Sequence, residues 1–284
     1  MPELPEVETI KRQLGEVLVG LTITDFWLDT PKMVIGKSEE LIKTKVVEVR
    51  RRAKLIEIDL NNGRTVLIHL KMTGQLLYQD NSSKTYQDKP LPPLKKSTPN
   101  KSTHVIFTFD NGAKLYFNDL RKFGYIKILP TNDVEHTRIL SEFGPEPFDP
   151  DLTLENFITR LKKRKTMKIK QLLLDQKFLA GVGNIYANEA LFKANIDPRK
   201  KVAELSEEQM KELFKQVKNV LEVGIKAGGA SDQTYVNAFG EKGKFMDYAV
   251  VYRRKGKPCE TCGAKIERIA LGGRGTFFCP KCQL

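Results

Sequence analysis

The sequence predicts an α+β protein in which an amphipathic helix leads an antiparallel β-sandwich, a mostly helical region follows, and a cysteine-rich hairpin ends the chain. Three observations support this order. Apolar residues recur every three or four positions over residues 6–20, then alternate with polar residues over much of residues 21–130. Helical spacing returns after residue 150, and all 4 cysteines fall near the end of the chain.

Composition and charge restrict the class of protein. The 284 residues suffice for two domains of ordinary size, and a hydrophobic fraction of 40% supports a packed core. Lysine and arginine total 48 against 35 acidic residues, which gives a net charge of +13. A globular protein this basic usually binds a polyanion, with nucleic acid the first candidate and a membrane surface the second. No apolar run reaches the ~18 residues of a spanning helix. Acidic residues near the N-terminus do not fit a secretion signal, so we expect a cytoplasmic protein.

The N-terminal residues combine a helix start with a reactive group. Removing Met1 would free the secondary amine of Pro2. An α-amino group with a pKa of ~8 is partly unprotonated at neutral pH and can attack an electrophilic carbon. Glu3 follows directly and Glu6 lies one helical turn further, so carboxylates are close at hand. The alternative is an ordinary helix start, with Pro5 in the first turn and acids at the positive end of the helix dipole.

The region after this helix has strand character. Alternating patterns predict strands at residues 47–50, 55–60, 65–70, 104–109, 114–117 and 125–129. Residues 61–63 and 110–112 each end in Asn-Gly, a strong hairpin signal. Residues 80–102 are polar and rich in proline and lysine, which predicts a long flexible loop.

Helix signals begin again beyond a proline-rich linker. Thr153 is placed to cap a helix over the apolar residues that follow it. Ser206 and Gln209 form a capping box at the start of a long helix that ends near Gly228. A shorter helix is predicted over residues 167–174.

A basic run and a glycine-rich turn lie next to each other in this region. The run has seven positive charges in residues 160–170 and ends at Lys170. A solvated helix face usually explains such a run, and a close-packed turn equally explains Gly181 and Gly183. Together they favour a phosphate-binding site, because a glycine-rich turn before a helix, here residues 185–194, presents free N–H groups to an anion.

The cysteines form two CxxC pairs separated by sixteen residues, Cys259 with Cys262 and Cys279 with Cys282. Two such pairs give closed tetrahedral coordination, which favours one structural Zn2+. Two disulfides in a cytosolic chain are the alternative. Between the pairs, the sequence predicts a two-stranded ribbon with a glycine turn and Arg274 at its tip. A basic tip suits a nucleic-acid groove, and a solvated turn arginine is the alternative.

Taken together, these stretches resemble the formamidopyrimidine-DNA glycosylases of the Fpg/Nei family. The likeness covers essentially the whole chain, through the run from Pro2, the four cysteines and the motifs at residues 51–54, 69–72, 119–124, 144–147, 181–186, 228–229 and 272–276. It implies a helix–two-turn–helix domain and a zinc-bound β-hairpin. The implied domains are a catalytic β-sandwich (1–135), a linker (136–152), the helix–two-turn–helix domain with a lesion loop (153–249) and a zinc finger (250–284).

The resemblance implies a bifunctional repair enzyme, a glycosylase with abasic-site lyase activity. Its substrates would be oxidised purines, 8-oxoguanine and formamidopyrimidines, in duplex DNA. Pro2 would attack C1′ and form a Schiff base, and β,δ-elimination would cleave the strand. Glu3, supported by Glu6, would move protons, and Lys54 would complete the catalytic set. The implied proton donors are Glu3, Lys54 and Arg274.

The resemblance also implies how damaged DNA is held. Implied DNA contacts outside the base pocket are Lys54, His69, Asn184, Tyr252 and Arg274. Lys170, at the end of the basic run, is a further predicted DNA contact. Three further residues, Met72, Arg121 and Phe123, would fill the gap left by the flipped nucleotide, which is needed because extruding a base is costly. Thr234 and Tyr235, in the loop of residues 230–245, would contact the flipped base.

Other functions stay open at this stage. An endonuclease VIII-like enzyme would take oxidised pyrimidines, although Leu4 and the gap-filling set favour the purine branch. A damaged-DNA-binding protein without catalysis is disfavoured by intact Pro2 and Glu3. A ribosomal or transcription zinc-ribbon protein would explain the cysteines and the charge but not the N-terminus. We expect a monomer that binds damaged double-stranded DNA at the bacterial nucleoid.

Overall fold

The computed structural model describes residues 1–80 and 98–284. They divide into two compact units, Met1–Ser141 with Gly224–Met246, and Glu142–Val223 with Asp247–Leu284. Most of the predicted loop at residues 80–102 lies outside the described residues. The division into four predicted segments stays a prediction, and the structure adds that Gly224–Met246 packs with the first unit.

The first unit contains one long helix, α1 (Leu4–Leu18), and the strands of the sandwich. These strands are β1 (Thr22–Leu28), β2 (Val34–Ile35), β3 (Thr44–Arg52), β4 (Leu55–Leu60), β5 (Arg64–His69), β6 (Gly74–Gln79), β7 (Thr103–Phe109), β8 (Lys114–Asp119) and β9 (Tyr125–Pro130). A short helix, α2 (Arg138–Ser141), follows them.

The strands of the described residues follow one hydrogen-bonded order, β2-β9-β5-β4-β3-β1-β7-β8-β6. Neighbours are antiparallel, apart from the short parallel pair of β2 and β9. The junction of β1 and β3 is short, with Thr22 opposite Lys45 and Ile23 opposite Thr44, so the order divides there into two halves. Apolar side chains of both halves share one core with α1, which confirms the predicted sandwich headed by a helix.

Helix α1 begins at Leu4, before the predicted start at residue 6, and ends at Leu18. The early start follows from Pro5, because proline fits the first helical turn, where an N–H would have no helical partner. Its buried face includes the predicted apolar residues Val7, Ile10, Leu14 and Leu18, and Val17 is partly buried beside them. Packing of this face fixes the position of Glu3, the residue that precedes the helix.

The second unit is mainly helical. Its helices are α3 (Leu154–Lys162), α4 (Ile169–Leu174), α5 (Asn184–Lys193) and most of α6 (Glu207–Lys226). Both predicted caps are confirmed: Thr153 Oγ1 accepts the Asn156 N–H at 3.2 Å, and Ser206 Oγ accepts the Gln209 N–H at 3.1 Å. Within the described residues, no helix is both long and apolar enough to cross a membrane.

The C-terminal ribbon consists of β10 (Glu267–Leu271) and β11 (Arg274–Phe278). Gly272 and Gly273 form the turn, with φ angles of 57° and 71°. Two successive positive φ angles match the tight hairpin turn that glycine favours. Arg274 opens β11 and pairs with Leu271, so it flanks the turn instead of forming the predicted tip.

Candidate active site

The start of the chain lies in a buried, acidic environment. Pro2 is buried, and Glu3 and Glu6 are 3% and 1% exposed. Glu6 Oε2 accepts the backbone N–H of Glu3 at 2.6 Å, while its Oε1 accepts the N–H of Ala230 at 2.8 Å. One carboxylate therefore ties the start of α1 to the first residue of the predicted base-recognition loop.

Tyr235 anchors the same loop from inside the core. Its hydroxyl lies 3.1 Å from the carbonyl oxygen of Gly228 and 3.3 Å from that of Glu6. Burial, with the Glu6 carboxylate, raises the pKa of Tyr235 well above its ordinary value, so the hydroxyl stays a donor. The structure gives Tyr235 this anchoring position, and its predicted contact with a base stays a prediction.

Two glycines allow the loop to approach α1 and itself this closely. Gly229 has a φ of +89°, and a Cβ there would lie 2.9 Å from Glu6 Cγ and 2.8 Å from the Tyr235 ring. A Cβ on Gly243 would lie 2.2 Å from the carbonyl oxygen of Gly229. The same oxygen accepts the N–H of Phe245 at 3.0 Å. The two ends of the loop therefore meet at a spacing that excludes side chains.

Thr234 lies against β6, next to the Met72 turn. Its carbonyl oxygen accepts Gln75 Nε2–H at 2.6 Å, and its hydroxyl lies 3.5 Å from the carbonyl oxygen of Met72. The structure thus brings together two predicted DNA contacts that are far apart in sequence. Gln75 was not predicted, although a glutamine beside the apolar pair Leu76 and Leu77 was a usable signal.

The Lys54 turn is held against α1 by Arg51. The guanidinium of Arg51 donates to Glu8 Oε2 on α1 at 2.8 Å and to the carbonyl oxygen of Ala53 at 3.0 Å. Because Arg51 is engaged inside the protein, its charge positions the turn between β3 and β4. Lys54, the second residue of that turn, is 6% exposed.

Electrostatic effects on the amino group of Met1 indicate which predicted catalytic groups lie near it. Burial lowers the pKa of the amino group of Met1, Glu3 and Glu6 raise it, and Lys54 lowers it further. Groups must lie within a few ångströms to shift a pKa in this way. Glu3, Glu6 and Lys54 therefore lie close to the amino end of the chain, beside Pro2, and their catalytic roles stay a prediction.

His69 stands beside this group at the end of β5, where it pairs with Leu55 of β4. Its Nδ1 accepts the N–H of Lys71 at 2.9 Å, so the neutral ring carries its proton on Nε2. Burial, followed by the charges of Lys71 and Lys54, lowers the pKa of His69 to about 3. His69 is therefore an uncharged donor at neutral pH.

The predicted gap-filling residues lie on two turns that a hydrogen bond joins. Phe123 is 53% exposed, and the guanidinium carbon of Arg121 lies 4.6 Å from the centroid of its ring. Thr73, which follows Met72, donates its hydroxyl hydrogen to Asp119 at the end of β8. This bond joins the Met72 turn to the segment that carries Arg121 and Phe123.

Lys170 has an internal position in the second unit. It is 0% exposed, and its ammonium donates to Asn184 Oδ1 at 2.8 Å, Gly275 O at 3.1 Å and Thr276 Oγ1 at 2.7 Å. Asn184 Nδ2–H also donates to Gly275 O, at 3.0 Å. Lys170 thus holds the β10–β11 ribbon to the start of α5, and contact of Lys170 and Asn184 with DNA stays a prediction.

Glu189 is a second buried charge that sequence reasoning missed. It is 0% exposed and accepts the N–H groups of Val250 at 2.9 Å, Val251 at 3.1 Å and Tyr252 at 2.7 Å. Burial raises the pKa of Glu189, and the three donors oppose that shift. The ring of Tyr252 also packs edge-on against Phe277, with centroids 5.2 Å apart. An acid within the largely apolar α5 was the available signal.

The four cysteines fit a tetrahedral metal site. Their sulfur atoms all lie within 4.8 Å of one another. The separation is 3.9 Å for Cys259 and Cys282 and 3.4 Å for Cys262 and Cys279. Tetrahedral zinc with Zn–S bonds of ~2.3 Å requires sulfur separations of ~3.8 Å. Four thiolates without an open position suit a structural Zn2+, which would cross-link the ends of the ribbon.

Known proteins match this chain along its length. Three family models match: the formamidopyrimidine-DNA glycosylase N-terminal domain over residues 1–126, the H2TH domain of that enzyme over residues 143–236, and the zinc finger found in FPG and IleRS over residues 256–284. A formamidopyrimidine-DNA glycosylase of Desulforamulus reducens is 40% identical, over 100% of this chain and 99% of the relative.

Solved structures with similar folds include DNA complexes of Lactococcus lactis FPG. A complex of a mutant with Fapy-dG-containing DNA has a TM-score of 0.88 at 33% identity, and covers 99% of both chains. A complex of the wild-type protein with DNA containing an oxidised pyrimidine has a TM-score of 0.87 at 33% identity, with 99% of both chains covered.

A helix-headed sandwich, a helical unit and a four-cysteine ribbon, matched over the full length, define a DNA glycosylase. The chain belongs to the formamidopyrimidine-DNA glycosylase family. This assignment confirms the predicted fold class and family. The zinc-finger match, with the sulfur geometry, confirms one structural zinc.

Replacing Lys170 with methionine tests the internal role of this lysine. The change keeps the length of the side chain but removes three charge-assisted hydrogen bonds, each worth ~1.5–3 kcal/mol. We expect the ribbon to loosen and zinc to pass to a colorimetric chelator about tenfold faster or more. Lys165→Met, at an exposed position of the same basic run, is the control. Equal release rates for the two variants would contradict the internal role.

Proposed function

We propose that this chain is a base-excision repair enzyme that removes oxidised purines from duplex DNA and then cleaves the abasic strand. The observation that carries the proposal is the buried group of Pro2, Glu3, Glu6 and Lys54 in a member of this family. A relative was solved with Fapy-dG-containing DNA, which supports the substrate class. The net charge of +13 suits a polyanionic partner.

Glycosidic cleavage begins once Met1 is removed and Pro2 becomes a secondary amine. The proline nitrogen attacks C1′ of the damaged nucleotide, the bond from C1′ to the base breaks, and the base leaves with its bonding electrons. Glu3 delivers a proton to the sugar ring oxygen, so that the ring opens and C1′ becomes an iminium carbon. Glu6 keeps Glu3 in place, because its carboxylate holds the Glu3 N–H at 2.6 Å.

Strand cleavage uses the iminium as an electron sink. Loss of a C2′ proton to a base such as Glu3 breaks the bond from C3′ to its phosphate. Loss of a C4′ proton then breaks the bond from C5′ to the second phosphate. Water releases the sugar fragment and regenerates the amine of Pro2. Lys54 and Arg274 complete the proposed set of proton donors.

The DNA contacts are proposed around this chemistry. Met72, Arg121 and Phe123 fill the gap in the duplex, because leaving it empty would forfeit stacking. Lys54 and the neutral ring of His69 hold phosphates near the lesion. Further phosphate contacts are proposed for Asn184, Tyr252 and Arg274. Thr234, in the loop of residues 230–245, contacts the flipped base. We assign the protein to the cytoplasm at the nucleoid, as a monomer, since its DNA substrate is there and zinc thiolates need a reducing compartment.

Borohydride trapping on an 8-oxoguanine duplex tests the proposal. The parent, with Met1 removed, is expected to give a stable protein–DNA adduct, since borohydride reduces the iminium. Glu3→Gln removes the proton-transfer carboxyl, and Pro2→Gly replaces the ring amine with a less nucleophilic primary amine, so both should trap far less. A cleavable N-terminal tag is the matched control, because it keeps the Pro2 nitrogen in an amide. Absence of an adduct after tag removal would sink the enzymatic assignment.

Gly229→Ala tests the close approach of the loop to Glu6. The added Cβ would meet Glu6 Cγ at 2.9 Å and the Tyr235 ring at 2.8 Å, so we expect trapping to fall about tenfold or more. Gly228→Ala is the control. Gly228 also has a positive φ, of +71°, but its Cβ would have nothing nearer than 3.9 Å. A similar loss in both variants would show that backbone strain, and not the approach to Glu6, limits activity.

Oxidised pyrimidines are a second candidate substrate, because wild-type Lactococcus lactis FPG was solved with DNA containing one. Excision of 8-oxoguanine opposite cytosine should exceed excision of thymine glycol when the two duplexes compete. The reverse order would assign the chain to pyrimidine repair.

A further inference from the structure

One buried carboxylate lies outside the catalytic group and yet organises the gap-filling residues. Asp119 ends β8 and is 1% exposed. Its Oδ2 accepts the N–H of Phe123 at 2.8 Å and that of Gly124 at 2.7 Å, and its Oδ1 accepts the N–H of Arg121 at 3.1 Å. Three backbone donors of one tight turn therefore point at a single side chain.

The turn is fixed from the other side by Thr73. Its hydroxyl donates to Asp119 Oδ1 and accepts the N–H of Arg121 at 3.1 Å. His104 Nε2 lies 3.0 Å from the carbonyl oxygen of Asp119, and this ring is 0% exposed. Gly124 is required here, since a Cβ would lie 2.6 Å from the Phe117 ring.

The residues that the turn presents have little support of their own. Phe123 is 53% exposed, Arg121 is exposed, and Lys122 between them has a φ of 55°, in the left-handed region. Such a backbone is unfavourable for a lysine and persists when its surroundings determine it. The hydrogen bonds to Asp119 hold the backbone in this conformation.

We propose that Asp119 is a positioning residue for recognition of the opposite base. Its carboxylate sets the backbone from which Arg121 and Phe123 project, and Thr73 transmits the same register to the Met72 turn. All three gap-filling side chains would then enter the duplex as one unit. This inference rests on the proposed function, because it assigns a role within the same lesion complex.

The chemistry of the side chain explains why an acid is used. Buried N–H groups need acceptors, and a carboxylate offers four lone-pair positions with no competing donor. An asparagine would fit the space, but its NH2 group would face an N–H donor on one side of the turn. Loss of the acceptor should therefore disturb Arg121 and Phe123 without touching the Pro2 group.

Thr73→Val and Thr73→Ser are the informative pair, because valine keeps the shape of threonine while serine keeps the hydroxyl. Asp119→Asn is the stronger variant, with thermal melting to establish that it folds. The first measurement is the ratio of kcat/KM for 8-oxoguanine opposite cytosine to that opposite adenine. We expect Thr73→Val and Asp119→Asn to lower this ratio about fivefold or more, and Thr73→Ser to keep it.

A fluorescent base gives a direct reading of gap filling. With 2-aminopurine next to the lesion, insertion of Phe123 should raise fluorescence as the stack opens, and the rise should shrink in Thr73→Val and Asp119→Asn. Trapping on a single-stranded abasic oligonucleotide, which has no opposite base, should equal that of the parent for both threonine variants.

The outcomes distinguish failure of the proposed function from failure of the inference about Asp119. A parent that traps no DNA overturns the proposed function and this inference with it. A parent that traps normally, beside a Thr73→Val variant with an unchanged ratio and fluorescence, overturns the inference alone. Equal losses in Thr73→Val and Thr73→Ser would also overturn it, because the hydroxyl would then be irrelevant.

Discussion

The carboxylate of Glu6 is the contact on which the arrangement of the candidate site depends. It accepts one N–H from Glu3, before the start of α1, and one from Ala230, which lies 224 positions from Glu6 in the chain. Pro2 and Glu3 are thereby held in the same structure that fixes the first residue of the lesion loop. Because both bonds end on one buried group, a movement of the loop would change the position of Pro2, the proposed nucleophile. Gly229 makes this possible by leaving room beside the Glu6 side chain.

The second unit also uses buried charged side chains, here to attach the C-terminal ribbon to its helices. The ribbon and the cysteine site share only a small apolar cluster with α5, so polar contacts add to their attachment. Lys170 donates two hydrogen bonds to the ribbon and one to Asn184 of α5, and Glu189 accepts three from residues 250–252. Burying either charge alone would cost several kcal/mol, roughly, so these contacts stabilise only because every bond is made. Removal of one hydrogen-bond partner of Lys170 or Glu189 should therefore destabilise the second unit strongly.

Local sequence patterns predicted the helix, the strands, the two caps and the zinc ligands, because each depends on residues close together in the chain. Partners far apart could not be predicted in this way. Lys170 was expected to contact DNA from its place in a basic run, but its burial depends on Gly275 and Thr276, 105 and 106 positions away. Tyr235 was expected at the base, and its bond to the Glu6 carbonyl across 229 residues gives it an anchoring position.

A common device links the three segments proposed to contact damaged DNA. Glu6, Asp119 and Glu189 are each buried. Asp119 and Glu189 each accept three backbone N–H groups from the segment that they organise, and Glu6 accepts one from the start of α1 and one from the loop. A hydrogen bond to a charged acceptor is worth ~1.5–3 kcal/mol, and a buried N–H cannot be left without one. Acids placed inside also leave the basic side chains in excess at the surface. The same placement of carboxylates therefore has two effects. It leaves a positive surface that attracts a polyanion, and it fixes the segments proposed to contact DNA.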